Sequence, residues 1–223
     1  MTPTQTTPQP PPPTTCGNLL RQAALAICVV GTLSACVPVI LGGVVMGGFV
    51  ATDRRTSGTQ LEDEGIELRA SSRIREGLGD RVHFNVNSYN RQVLLTGEAP
   101  NAQDKQLVEQ IVSKVDNVRA IVNEIAVLGN TTLPQRSSDA LVTGRVRASL
   151  VDAKDLYANA FKITTERGTT YMMGRVTQRE ADRATEIARG ASGVQKVVRI
   201  FEIISEDELK RLLPQPAPGD VKK

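Results

Sequence analysis

The fold of this chain is decided by the stretch VHFNVNSYNRQVLLTG, residues 82–97. Apolar and polar residues alternate from Val82 to Val86, and a second apolar run follows the polar residues 89–91. Alternation with a period of two predicts a strand, and the polar interruption predicts a turn between two strands. The stretch therefore predicts a β-hairpin that ends at Gly97, where we expect the chain to leave the sheet.

The same order of elements occurs twice in the sequence. The second hairpin is AFKITTERGTTYMMG, residues 160–174, and it also ends at a glycine, Gly174. Ahead of each hairpin, apolar residues at helical spacing predict a helix. These stripes lie 76 positions apart and comprise Ile66, Ala70 and Ile74, then Val142, Val146 and Leu150. Behind each hairpin a second helix is predicted, with Leu107, Ile111 and Val115 in one copy and Ala181, Ala184, Ile187 and Ala188 in the other. A β-branched strand closes each copy, at 118–127 and 194–204.

These elements predict an α+β fold made of two tandem α-β-β-α-β domains. In each domain, two helices cover one face of a three-stranded mixed sheet. We expect the domains at 61–128 and 137–205, joined by a linker at 129–136 and followed at 206–223 by a short helix and a disordered tail. Because a domain of this size buries little core alone, we expect the two to pack on each other, most naturally through edge strands.

The N-terminal region has the organisation of a secretory signal. Arg21 precedes the mostly apolar residues 23–33, and Leu33-Ser34-Ala35-Cys36 follows the order of the bacterial lipobox. The resemblance implies a signal peptide at 1–35, removal of that peptide and lipidation of Cys36. Residues 36–60 would then form a glycine-rich tether.

Two features leave alternatives open in this region. Apolar residues continue to Val50, long enough for a transmembrane helix, although Gly42, Gly43, Gly47 and Gly48 weaken that interpretation. Residues 1–16 are uncharged and rich in Pro and Thr, unlike the start of a signal peptide. Either this start is unusually long, or translation begins near Leu19 or Leu20.

Composition argues against several classes of function. Without residues 1–35 the chain has 26 basic and 24 acidic residues, so no strongly basic face is expected for nucleic acid, and Cys36 is its single cysteine. No nucleophile-base set, phosphate loop or metal-ligand spacing is evident, and we predict no enzyme activity, metal or cofactor. His83, the single histidine, is expected to point to solvent from its strand. The acidic residues 62–64 are expected to stabilise a helix start.

Two pairs of segments carry a family resemblance. Leu94-Leu95-Thr96-Gly97 with residues 118–125, and residues 172–176 with 193–197, resemble BON domains. A lipobox, a tether and two such domains resemble the dual BON-domain outer-membrane lipoproteins. The resemblance implies a non-enzymatic protein on the periplasmic face of the cell outer membrane, and Val37 after the cysteine agrees with sorting there. It also implies binding of anionic phospholipids such as phosphatidylglycerol and cardiolipin by the second domain, and roles in envelope integrity and at division sites.

The first helix of the second domain offers a candidate lipid-binding face. Beside its core stripe lie an apolar residue, two small residues and a cation: Leu141, Gly144, Arg145 and Ala148. Hydrocarbon can enter a headgroup region while Arg pairs with phosphate. The equivalent positions Gly65, Arg69 and Ser72 offer no apolar anchor. Alternatively, Leu141 packs against the other domain. The resemblance implies a Trp anchor at this position, where the chain has Leu.

The sequence leaves other functional classes open. The two domains could instead form an adaptor that docks on an envelope protein partner, at an outer-membrane or septal assembly, through an exposed strand edge. A pore-associated module that forms rings is a third possibility. Lipid binding is the prediction we carry forward.

Overall fold

The computed structural model describes residues 53–212, and the predicted signal peptide, Cys36 and the C-terminal tail lie outside the described residues. The first domain contains helix α1 (Ser57–Leu78), strands β1 (His83–Tyr89) and β2 (Gln92–Ala99), helix α2 (Ala102–Ser113) and strands β3 (Ala120–Asn123) and β4 (Ala126–Val127). The second contains α3 (Leu133–Asp152), β5 (Phe161–Glu166), β6 (Thr169–Val176), α4 (Gln178–Gly190) and β7 (Lys196–Ile203), and helix α5 (Glu206–Leu212) follows. The predicted α+β class and its repeated element order are confirmed.

Both sheets are mixed, as predicted. Strand β1 pairs antiparallel with β2, and β2 pairs parallel with β3 and with the short β4. In the second domain, β5 pairs antiparallel with β6, and β6 pairs parallel with β7 along eight residues. The last strand of the first domain is divided in two at residues 124–125, where the Asn123 side chain accepts a hydrogen bond from the Ile125 backbone at 3.2 Å.

The domains pack through the faces of their sheets. One core lies between the first sheet and helices α1 and α2, and a second lies between the second sheet and α3 and α4. A third core joins the two sheets and consists of Tyr89, Leu94, Tyr171, Met173 and Ile200. The expected contact through edge strands is therefore wrong. Each sheet has helices on only one side, so its bare apolar face is buried by the other sheet, giving helix, sheet, sheet and helix layers.

A buried aspartate holds the hairpin turn in each domain. Asp63 accepts hydrogen bonds from the backbone N–H groups of Asn90 and Arg91, at 2.8 and 2.7 Å. Asp139, 76 positions later, accepts from Arg167 and Gly168 at 2.8 and 2.9 Å. Both turns need left-handed backbone, which isolates N–H groups that require an acceptor. Asp63 is thus a turn anchor. The expectation that residues 62–64 stabilise a helix start is wrong, because α1 begins at Ser57 and its first turn has no acidic residue.

Gly97 and Gly174 lie inside their strands, and the prediction that the chain leaves the sheet there is wrong. A Cβ atom on Gly97 would lie 2.1 Å from the His83 carbonyl oxygen, and one on Gly174 would lie 2.5 Å from that of Ala160. Gly97 also has a φ of 122°, which L side chains rarely adopt. Glycine at these positions allows the neighbouring strand to approach closely.

The first helix of each domain begins ahead of the boundary predicted for that domain. Helix α1 begins at Ser57, capped by the side chain of Thr56, within the segment assigned to the tether. Helix α3 begins at Leu133, within the predicted linker, and Thr132 caps it by accepting from the backbone of Gln135. Pro134 is compatible with this start because the first turn of a helix does not use the missing N–H group.

Candidate membrane-binding face

The four residues predicted to bind lipid lie together on the outer face of α3. Leu141 is 62% exposed, and Gly144, Arg145 and Ala148 are also exposed. The core residues Val142, Val146 and Leu150 occupy the opposite side of the helix. Leu141 does not pack on the first domain, so the alternative in which it forms a domain contact is wrong.

The exposed face is longer than the sequence indicated. Val151 continues the stripe by one turn and is 65% exposed. Its spacing of three residues from Ala148 and ten from Leu141 is a helical signal that could have identified it. We call residues 141, 144, 145, 148 and 151 the α3 face.

Arg145 of the α3 face and the neighbouring Arg147 are available to an anionic ligand. Arg145 donates to the backbone oxygen of Ser192 at 3.2 Å, a contact that leaves its charge uncompensated. Within the described residues, neither Arg145 nor its neighbour Arg147 forms an ion pair with a carboxylate. Helix α3 has three arginines and two aspartates, a net charge of +1.

Helix α1 of the first domain differs in charge rather than in apolarity. It exposes Leu61 and Leu68 by 71% and 73%, so this helix has apolar anchors at positions other than Gly65, Arg69 and Ser72. Its Arg69, the equivalent of Arg145, is paired with Glu62 at 2.6 Å. Hydrogen bonds from Asn117 and then Arg69 lower the pKa of Glu62, which keeps the neutralising charge in place. With five acids and three arginines, α1 has a net charge of −2.

His83 belongs to a polar cluster between the two sheets, so its predicted exposure to solvent is wrong. Its Nδ1 atom lies 2.9 Å from a Glu98 carboxylate oxygen, and the His83 side chain is 16% exposed. Glu166 lies close by in the second domain and accepts from Asn85 at 2.8 Å, and ligand atoms of His83, Glu98 and Glu166 lie within 4.8 Å of one another. Arg167 is 3.7 Å from the other Glu98 oxygen and competes with any cation, so we assign the cluster to domain packing.

The segment ahead of α1 is part of the folded structure, which the sequence did not indicate. Arg54 is 4% exposed and pairs with Glu180 at the start of α4, at 2.6 and 2.8 Å. Its neighbour Arg55 pairs with Asp53 and Asp63 and lies over the Tyr89 ring. Residues 53–60, which were assigned to the tether, are therefore part of the folded structure.

No helix within residues 53–212 is long and apolar enough to cross a membrane. The lipidation site predicted at Cys36 is outside the described residues.

Comparison with known proteins identifies the class to which these two domains belong. The model of the BON domain family matches residues 63–129 and 138–204, and the chain belongs to that family.

Within the family, the chain is similar to the outer membrane lipoprotein DolP of Haemophilus influenzae. The two are 32% identical over 187 residues, which cover 83% of this chain and 97% of the relative. It is also 30% identical to the 21 kDa hemolysin of Actinobacillus pleuropneumoniae over 154 residues, covering 68% of this chain and 79% of that one. Among solved structures, CdsD, a structural protein of the type III secretion system of Chlamydia trachomatis, matches with 13% identity and a TM-score of 0.25, covering 70% of this chain and 99% of that one.

Proposed function

We propose that this protein is an outer-membrane lipoprotein that binds anionic phospholipids through the α3 face of its second BON domain. Cys36 carries the lipid anchor, and the folded part faces the periplasm. This activity supports the integrity of the cell envelope and directs the protein to division sites. The similarity to DolP supports the location, and the exposed apolar and cationic α3 face supports the binding activity.

The observation that carries the lipid-binding proposal is the exposure of Leu141 and Val151 beside unneutralised arginines. Insertion of two aliphatic side chains that are already partly buried contributes about 1–2 kcal/mol each. Arg145 and Arg147 contribute about 1 kcal/mol each at an anionic surface. The sum of about 5 kcal/mol corresponds to a dissociation constant of roughly 0.1–1 mM.

Such an affinity gives the two attachments different roles. The acyl chains on Cys36 hold the protein at the membrane, and the weak α3 face selects the lipid composition beneath it. A site of this strength exchanges quickly between lipids. We propose that phosphatidylglycerol and cardiolipin are preferred because both present phosphate groups that Arg145 can engage.

Co-sedimentation with vesicles tests this proposal. The chain from residue 37 onward retains every described residue and lacks the anchor. We expect it to bind vesicles of phosphatidylethanolamine with cardiolipin, and to bind vesicles without anionic lipid at least tenfold less. Leu141→Asp and Arg145→Glu should each weaken binding at least fivefold. Leu68→Asp is the matched control, because it places the same charge on an equally exposed leucine of α1.

Two results would contradict the lipid-binding proposal: equal binding to neutral and anionic vesicles, or equal losses in Leu141→Asp and Leu68→Asp. An absence of binding would favour a second candidate, an adaptor for an envelope protein. Strand β7 supports that candidate, since in the described part of the chain it is an eight-residue edge that pairs only with β6.

A further inference from the structure

The segment that precedes α1 is attached to the second domain. The Arg54 guanidinium donates two hydrogen bonds to the Glu180 carboxylate and a third, at 2.7 Å, to the backbone oxygen of Arg175. Arg54 is 4% exposed and Glu180 is 2% exposed. A bidentate pair of this kind fixes both the position and the direction of the chain at residue 54.

Glu180 is held for this contact by its own helix. It forms a capping box with Thr177, whose backbone N–H and hydroxyl both donate to the carboxylate. Burial alone raises the pKa of Glu180, but the hydrogen bonds from Arg54 and Thr177 outweigh burial and keep the pKa below its usual value. The carboxylate is therefore ionised and oriented at neutral pH.

The attachment places the start of the folded chain beside the α3 face. Asp53, immediately ahead of Arg54, lines a cleft of about 520 Å³ together with Arg147 and Val151 of α3. Arg54 is only three residues ahead of Ser57, where α1 of the first domain begins, so the ion pair carries the chain across the domain boundary.

The exit point matters because the molecule has two outer faces that could meet a bilayer. Helices α1 and α3 lie in opposite outer layers, and each exposes leucine side chains. The four layers are on the order of 40 Å thick. Cys36 lies 17 positions ahead of Asp53, so only a short stretch of chain joins the lipid anchor to the folded part, which favours the face nearest to this exit.

We infer that the Arg54–Glu180 pair sets the membrane orientation of the lipidated protein by directing the tether to exit beside the α3 face. This inference rests on the lipid anchor and the α3 contact of the proposed function. Arg54 and Glu180 are positioning residues: neither lies on the α3 face, and both act by determining which helix meets the bilayer.

Depth-dependent quenching tests the orientation. The lipidated full chain is labelled with a fluorophore at Ala148→Cys or at Ser72→Cys, which are equivalent exposed positions on α3 and α1. Each form is placed in vesicles of phosphatidylethanolamine and phosphatidylcholine, without anionic lipid, that contain brominated acyl chains. We expect at least threefold stronger quenching at position 148 than at position 72. Arg54→Ala and Glu180→Gln should bring this ratio close to one.

Arg119→Ala is the matched control. Arg119 pairs with Glu202 at 3.1 Å across the domain boundary and does not contact the segment ahead of α1, so its loss should leave the ratio unchanged. Circular dichroism establishes that each variant is folded. Arg54→Ala is the decisive variant, because it leaves the capping box of α4 intact.

The outcomes separate this inference from the proposed function. An unchanged ratio in folded Arg54→Ala, or a ratio of one in the unmodified protein, overturns the orienting role even if the anchor-free chain binds vesicles. Failure of the anchor-free chain to bind refutes lipid selection by α3. A quenching ratio that still depends on Arg54 would then support the orienting role of the pair.

Discussion

Replacement of Leu94 by Ala should destabilise both domains together. Leu94 is 1% exposed and belongs to the core between the sheets, with Tyr171 and Met173 from the second domain. The substitution removes three carbon atoms, about 2.4 kcal/mol of burial. A residual cavity of about 50 Å³ adds about 1 kcal/mol. The expected loss in free energy of unfolding is therefore about 3–4 kcal/mol, or roughly 10 °C in Tm for a unit of this size.

The neighbouring residue provides a control for this prediction. Leu95 is fully buried on the other side of β2, in the core of the first domain alone. Leu95→Ala should cost a similar amount, but only Leu94→Ala should increase hydrogen exchange in β6 and β7 of the second domain. Calorimetry of the unmodified protein should show one transition. Two results would refute face-to-face packing. One is two resolved calorimetric transitions of which Leu94→Ala shifts only that of the first domain, and the other is unchanged hydrogen exchange in β6 of Leu94→Ala.

Three further predictions follow from other sites. In chemical denaturation, Gly97→Ala should lower the free energy of unfolding by at least 3 kcal/mol, because it combines a strained φ with a clash against the His83 backbone. Gly129→Ala, where the added Cβ meets open space, should be nearly neutral. Burial raises the pKa of the Glu166 carboxyl in the folded protein above its value in the unfolded chain. The free energy of unfolding should therefore fall as the pH rises from the unfolded pKa through the folded pKa. In thermal melts, Glu166→Gln should flatten this decline and be the more stable form at pH 7. Leu141→Trp should strengthen binding to cardiolipin vesicles about fivefold in co-sedimentation, because an indole ring favours the interface; unchanged or weaker binding would argue against insertion of this side chain.

The periodic elements could be predicted from the sequence, whereas the packing of the domains could not. Helical stripes and alternating strands follow from which side chains face a core, and both domains conform to them. The assignment of His83 to solvent followed the same rule. His83 does lie on the face opposite Phe84, but the second domain covers that face. The run Val93-Leu94-Leu95 contained a usable signal, because consecutive apolar residues indicate a strand buried on both sides.

Other features depend on partners that are distant in the sequence. Arg54 lies 126 positions from Glu180, and no local pattern predicts that pair. Asp63 and Asp139 are different, since the 76-residue repeat already aligned two aspartates ahead of two hairpins. Comparison of the repeats for shared polar residues, in addition to apolar stripes, would have found the turn anchors. The proposed lipid-binding residues could be selected from the sequence because a leucine next to the core stripe, on a side of the helix expected to be polar, stands out locally.

The structure changes the basis on which the two domains are distinguished. Both α1 and α3 expose aliphatic side chains, so apolarity alone cannot select the membrane-facing helix. Their net charges differ by three, and this difference persists when the buried aspartate of each helix is set aside. At about 1 kcal/mol per charge near an anionic surface, α3 is favoured by about 3 kcal/mol, or roughly a hundredfold. On neutral lipid that preference disappears and only the exit of the tether orients the molecule. In the orientation that we propose, charge and tether select the same face independently, and the dependence of the orientation on Arg54 should be greatest where anionic lipid is scarce.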